Sequence, residues 1–319
     1  STFKLFGKEA AHEIINATSN PFVSLFIGLL ATAIIQSSST TTSMIVAMVA
    51  TSTLTIENAV PMIMGANIGT SVTSTIVSLG HIGNKKEYRK AISAATVHDF
   101  FNIMVVLMLF PMEYFFGFLS GLSAMLASVF SAGTTSGDSE KMFSILGVTV
   151  KPVAKYVMET LLNKNVWLCL LAALGLLFLS LRYLTLTLKK LLIGKAEKNL
   201  DKLVFNKPAK ALGWGTVLTM AVQSSSVTTS LIVPMVASNK VSLRKAFPFM
   251  IGANIGTTVT ALIAAMSTEA SMFEAALTIA LAHVLFNVLG ALILFPIKFL
   301  REIPIKLSRK LGKATMKNR

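Results

Sequence analysis

Charge is what this chain has least of: only 13% of its residues are Asp, Glu, Lys or Arg. A soluble domain of this size needs far more to cover its surface. Cysteine is almost absent as well, with Cys169 alone inside an apolar run, so no intrachain disulfide can form and a disulfide-stapled fold is excluded. Missing too is any sustained period-two alternation, which argues against a β-barrel. What remains is 53% hydrophobic, with a mean hydropathy of +0.69, and several unbroken apolar runs reach spanning length. The expected class is an all-α polytopic membrane protein. The 29 Lys and Arg residues against 14 acids give a net charge of +15. They cluster in loops between apolar runs, the pattern of cytoplasmic positive charge, and no nucleic-acid partner is implied. The first residue is Ser1 rather than Met, which fits a trimmed or processed chain, and no signal peptide is legible.

Against this apolar background stand eight consecutive polar residues, Gln36-Ser37-Ser38-Ser39-Thr40-Thr41-Thr42-Ser43. They return as Gln223-Ser224-Ser225-Ser226-Val227-Thr228-Thr229-Ser230, with seven of eight identical. Polar groups inside a membrane are costly, so a duplicated run of them marks a functional site rather than routine helix packing.

The duplication extends well beyond these runs. Pro208 corresponds to Pro21, Gly215 to Gly28, Gln223 to Gln36, Pro248 to Pro61 and Asn254 to Asn67, all at an offset of 187. After a two-residue deletion the offset becomes 185, and His283, Asn287, Phe295 and Pro296 match His98, Asn102, Phe110 and Pro111. Repeat 1 therefore covers 21–116 and repeat 2 covers 208–301, preceded by an interfacial lead-in at 1–20 and followed by a basic cytoplasmic tail at 302–319. Between the repeats, 117–207 forms a connection with one span at 165–188, while the run 118–132 is apolar but short of a span.

Each polar run lies in the middle of an apolar stretch, 21–53 or 208–239. As one straight helix about 30 residues would be ~45 Å long, too long for a hydrocarbon core of ~30 Å. A re-entrant hairpin with its polar tip near mid-membrane fits better. Spans then follow at 59–79 and 91–116 in repeat 1, and at 246–266 and 275–297 in repeat 2. Charge chooses the orientation. If both hairpins are re-entrant, three crossings separate the repeats, and the basic segments 85–90, 189–210, 240–245 and 298–319 fall on one side. The positive-inside rule thus selects two inverted repeats, the architecture of carriers that bind at the repeat interface.

The second arm of such a hairpin begins at the tip, so its N-terminal N–H groups point into the protein centre. Two inverted copies bring two such ends together, lined by Ser37, Ser38, Ser39 and Thr40 and by Ser224, Ser225 and Ser226. That is a site for a small oxyanion. No Lys or Arg lies in these motifs, so an anion entering a low-dielectric site must bring its countercharge, and coupling to cations is expected. Gly65-Ala66-Asn67-Ile68-Gly69-Thr70 and Gly252-Ala253-Asn254-Ile255-Gly256-Thr257 leave two readings open: close helix packing on the glycines, or sodium ligation by amide, hydroxyl and carbonyl oxygens at a helix break. His98 and His283 read as hydrogen-bonded packing residues. Asp99, replaced by Val284 in the second copy, is the deepest acid of the apolar spans by sequence; ionised it would hold a cation, and the alternative is a protonated or Asn-paired carboxyl.

The two polar runs, the segment Pro61-Met62-Ile63-Met64-Gly65-Ala66-Asn67-Ile68-Gly69-Thr70-Ser71, and Ala95-Thr96-Val97-His98-Asp99-Phe100-Phe101-Asn102 resemble the type II sodium-dependent phosphate cotransporters, in a bacterial version. The resemblance covers both repeats and their spacing. It implies sodium-coupled symport of inorganic phosphate by alternating access in the bacterial inner membrane, with no enzymatic activity, no cofactor and no transition metal. The Ser-rich tips would hold phosphate; Gln36, Gln223, Asn67, Asn254, Thr70 and Thr257 would help to hold sodium, and Asp99 would make transport electrogenic through an additional sodium. The disulfide-bonded extracellular loop of animal members is here only the 117–164 connection, and the further terminal spans of family members are absent from the sequence. Competing readings are a sodium-coupled carrier of sulfate or a dicarboxylate, a channel, and an intramembrane serine hydrolase with His98 as base. The last predicts one nucleophile, whereas both clusters are duplicated.

Overall fold

The computed structural model describes residues 20–133 and 204–315, with scattered positions between 156 and 176. The lead-in before Asn20 and most of the expected span at 165–188 lie outside the described residues. Those described are helical, without a strand. In chain order the helices are α1 (Pro21–Ile35), α2 (Ser38–Ala50), α3 (Ile56–Ile68), α4 (Val72–Leu79), α5 (Lys85–Phe116), α6 (Phe118–Gly133), α7 (Pro208–Val222), α8 (Ser225–Ala237), α9 (Leu243–Met266), α10 (Phe273–Leu294) and α11 (Lys298–Ala314). Three of them, α5, α9 and α10, are long and apolar enough to cross a membrane. The protein is an all-helical membrane protein.

Local chemistry dictates where the paired helices begin and end. Pro21 and Pro208 open α1 and α7, where the missing N–H of proline has no partner to lose. Both helices stop at a glutamine in the left-handed region, Gln36 at φ 60° and Gln223 at φ 52°. The next residues, Ser37 and Ser224, are extended and cap α2 and α8: their hydroxyls accept from Thr40 N at 3.2 Å and from Val227 N at 3.3 Å. With 15 residues in α1 and 13 in α2, the arms are roughly 22 and 20 Å long, each short of the ~30 Å of a hydrocarbon core.

Glycine sets how closely α1 lies on α3 and α7 on α9. A Cβ on Gly28 would run into the Met62 carbonyl, and one on Gly215 into the Phe249 carbonyl. In return Gly65 abuts the Leu25 carbonyl and Gly252 the Leu212 carbonyl. The two pairs of helices therefore touch backbone to backbone, at homologous points of the duplication.

The repeats interlock rather than stand side by side. From the first, α2 packs on α9 and α10; from the second, α8 packs on α4 and α5. Their shared core is filled by Ile45, Val46, Ile63, Phe101, Val233, Phe247 and Phe286, all essentially inaccessible.

Three features go beyond the sequence reading. The segment at 59–79 is not one straight helix, since a 3₁₀ turn at Gly69–Ser71 separates α3 from α4. Its counterpart α9 runs unbroken through Gly256 and Thr257, so the helix break exists in one copy only. The run after Gly117 forms α6, packed on α10 and started by Glu113, whose carboxylate accepts from Leu119 N at 2.7 Å and Ser120 N at 3.0 Å. The basic tail is largely the amphipathic helix α11. It buries Pro304, Ile305, Ser308 and Gly312 along α5, and Glu302 accepts from Arg244 at 2.8 Å.

Candidate functional site

The turn between α1 and α2 meets the turn between α7 and α8. Ser39, at the start of α2, donates its hydroxyl to the carbonyl of Gln223 at 3.0 Å, joining residues 184 positions apart. Ser38, Ser39 and Thr40 are buried in the first copy, Ser225 and Ser226 in the second, while Ser37, Ser224 and both glutamines are half-buried. The first N–H groups of α2 and α8 have no intrahelical acceptor, and the capping serines satisfy only the third of them. Thr40 donates its hydroxyl to Ser37 Oγ at 2.9 Å, and Gln36 Nε2 donates to Ala33 O at 2.5 Å. The tip residues named from sequence are thus collected into one polar region at the junction of the repeats. A second bridge, Ser74 Oγ to Thr229 Oγ1 at 3.0 Å, ties α4 to α8 below it. Sequence reasoning passed over Ser74, which has no polar counterpart to flag it.

The predicted sodium ligands divide into two groups. Thr70 Oγ1 donates to Ala66 O at 3.2 Å and Thr257 Oγ1 donates to Ala253 O at 2.9 Å. A hydroxyl whose proton is committed to its own helix turns its lone pairs outward, the state a cation requires. Asn67 and Asn254 instead are knotted into a buried network. Asn67 Oδ1 accepts from His283 Nε2 at 3.3 Å and from Asn287 Nδ2 at 3.2 Å, while its Nδ2 donates to Ile63 O at 2.8 Å. Asn254 Oδ1 pairs with His98 Nε2, and Asn254 Nδ2 donates to Asn102 Oδ1 at 2.8 Å. Asn102 closes the network by donating to Asn67 O at 2.6 Å.

In each copy the Asn of the Gly-rich segment is therefore held by the histidine of the opposite repeat. An imidazole nitrogen facing an amide oxygen must carry the proton, so both rings bear hydrogen on Nε2 in this arrangement. The expectation that His98 and His283 are hydrogen-bonded packing residues agrees with this, and His98 makes no hydrogen bond to a serine. The place of Asn102 and Asn287 in this network was not read from the sequence; their equivalence at offset 185 was visible, but the partners belong to the other half and no spacing reveals them. Asp99 sits on α5 beside this network, its Oδ1 3.6 Å from His98 Nδ1 and its side chain largely covered. The GxxxG reading resolves in part as well: Gly65, Gly69, Gly252 and Gly256 all serve close backbone packing.

Among the described residues no cluster of His, Cys, Asp or Glu could hold a transition metal. Chemically, the junction offers helix N-terminal N–H groups and hydroxyls for an oxyanion, with amide and hydroxyl oxygens for a hard monovalent cation close at hand.

Comparison with known proteins follows the same lines. The profile of the family described as Na+/Pi-cotransporter matches residues 1–132 and 176–302. Sodium-dependent phosphate transport protein 2A of Ovis aries is 33% identical over 391 aligned positions that cover 100% of this chain and 61% of the relative. The 2A protein of Rattus norvegicus is 32% identical, covering 100% and 61%, and the 2B protein of Homo sapiens 31%, covering 100% and 59%. The chain spans about three fifths of the length of these curated relatives. No solved structure matches it.

Proposed function

Since the chain belongs to the Na+/Pi-cotransporter family, we propose that it is a secondary carrier that moves inorganic phosphate together with sodium, through a site between two inverted hairpin tips. The observation that carries this reading is the contact of the tips themselves, Ser39 on the Gln223 carbonyl, which sets the N-termini of α2 and α8 at one point. Phosphate is held there by N–H groups and by the hydroxyls of Ser37, Ser38, Ser39, Thr40, Ser224, Ser225 and Ser226. With no cationic side chain in these motifs, sodium supplies the countercharge. Its ligands are the amide oxygens of Gln36 and Gln223 and the hydroxyls of Thr70 and Thr257. Asn67 and Asn254 contribute when they exchange their histidine partners for the ion. A further sodium on Asp99 makes the cycle electrogenic.

The inverted arrangement is supported by where the positive charge collects. Arg89 and Lys90, Ser242 and Leu243, and Arg309 and Lys313 line one cleft; Phe205, Pro208, Arg244 and Arg301 line another. Basic segments from both repeats thus share one end of the molecule, as re-entrant hairpins require and single-pass crossings do not. Transport proceeds by alternating access, one assembly of helices rocking against the other around the fixed site, in the bacterial inner membrane.

The test is uptake of radiolabelled phosphate into proteoliposomes under an imposed sodium gradient. Uptake that requires sodium and resists excess sulfate and dicarboxylate is the expected result. Uptake that sulfate abolishes would reassign the anion, and sodium-independent uptake would remove the coupling.

A further inference from the structure

Away from the tips, four cations line a single cleft. Arg89 and Lys90 on the first turns of α5, and Arg309 and Lys313 on α11, line a cleft of about 290 Å³ whose opposite wall includes Asn239 and Ser242. Among the described residues no carboxylate lines it. Of the acids on the contributing segments, Glu87 is hydrogen-bonded to His81 and Asn84, and Glu302, which feels the charge of Arg309, is hydrogen-bonded to Arg244. Among the described residues none of the four cations makes an ion pair. Like charges gathered around a concave surface repel one another, and an anion between them relieves the repulsion. Such an arrangement, with arginine forks and lysine ammonium groups around polar side chains, suits a phosphate group.

Depth decides which phosphate. The cleft opens where two spanning helices begin, α5 at Lys85 and α9 at Leu243, so it lies at the level of lipid headgroups. Its third wall, α11, carries exposed Phe299, Leu307 and Leu311 among its lysines and arginines, the make-up of a helix resting in the membrane interface. Basic pockets at such positions take up anionic headgroups. We propose that this cleft is a binding site for the phosphate headgroup of an anionic phospholipid, distinct from the phosphate path at the hairpin tips. The occupant clamps the basic face of α11 to the basic start of α5, beside the first residues of α9.

The full chain, purified into phosphatidylcholine nanodiscs containing a minor fraction of phosphatidylglycerol, should retain phosphatidylglycerol detectable by native mass spectrometry. Arg89→Gln/Arg309→Gln/Lys313→Gln should weaken that retention about a hundredfold, as expected for the loss of three headgroup-level cations. Lys313→Gln alone, an exposed position that the fold tolerates, should weaken it about fivefold. The matched variant Lys298→Gln/Lys306→Gln/Lys310→Gln removes the same charge from α11 outside the cleft and should retain the lipid. Equal losses in the two triple variants would reduce the effect to general electrostatics and overturn the site. Displacement of the lipid by inorganic phosphate would overturn the assignment to a headgroup in favour of a free phosphate.

Discussion

At the scale of single residues, the two glutamines carry the most weight. Gln36 and Gln223 hold equivalent left-handed conformations, which cost a non-glycine residue energy unless the surroundings enforce them. Both stand between the two arms, where the backbone turns, and the Gln223 carbonyl accepts from Ser39 across the junction. Gln36→Ala or Gln223→Ala should abolish sodium-driven phosphate uptake while the protein still reaches the membrane in normal amount. Full uptake in either variant would take that residue out of the site. Asp99 has a different expected signature. Asp99→Gly should leave phosphate uptake measurable but lower the charge moved with each phosphate, read as current against flux in the same vesicles. An unchanged ratio would refute its sodium role. Much of this chemistry was legible, because a duplicated polar run in an apolar chain has few explanations. The pairing of Asn67 with His283 and of Asn254 with His98 was not, since each bond joins groups that are remote in sequence and belong to different copies.

Among the helices, close packing and docking make separate demands. Gly28 meets the Met62 backbone, an atom that cannot swing away, whereas a Cβ at Gly213 on the homologous α7 would enter open space. Gly28→Ala should therefore destabilise by about 1–3 kcal/mol through overpacking. Gly213→Ala should raise stability by up to about 1 kcal/mol through helix propensity. Thermal denaturation in detergent compares the two, and a harmless Gly28→Ala would contradict the backbone contact. Helix α11 depends on charge. The hydrogen bond from Arg244 holds the Glu302 carboxyl below its ordinary range, so the docking it supports is complete above the usual carboxylate value of about 4.3 and fades as pH falls through the lowered one. Proteolysis of α11 should accelerate in acid, and Glu302→Gln should show that susceptibility already at neutral pH. Hydropathy reads 302–319 as a tail because its apolar residues are too few for a span. Its helical character came instead from the face it lays on α5, a tertiary effect. The 3₁₀ turn at Gly69–Ser71 was equally hidden, for the same Gly-Thr pair continues as α-helix in the second copy.

For the molecule as a whole, the interlock is the governing fact. Because α2 is seated on α9 and α10, and α8 on α4 and α5, each repeat completes the core of the other. Neither half should fold alone. When residues 1–150 and 151–319 are co-expressed as separate pieces with a tag on one, the other should co-purify through detergent, and phosphate uptake should be recovered. A tagged half that is monodisperse and protease-resistant on its own would contradict the mutual core. The all-helical membrane class was readable from composition, and the family from the resemblance of its motifs. The exchange of second arms between repeats was not, because an amphipathic pattern says how much of a helix is covered and never by what.

The lone 3₁₀ turn has one more implication, under the inverted arrangement proposed for the repeats. Two identical inverted halves would make the outward-facing and inward-facing forms mirror each other, isoenergetic and crossed at equal speed. A kink present at Gly69–Ser71 and absent around Gly256, reinforced by Asp99 against Val284, lifts that degeneracy. For the carrier proposed above, the empty form should then rest on one side of the membrane, and its return stroke should run on a different clock from its loaded one.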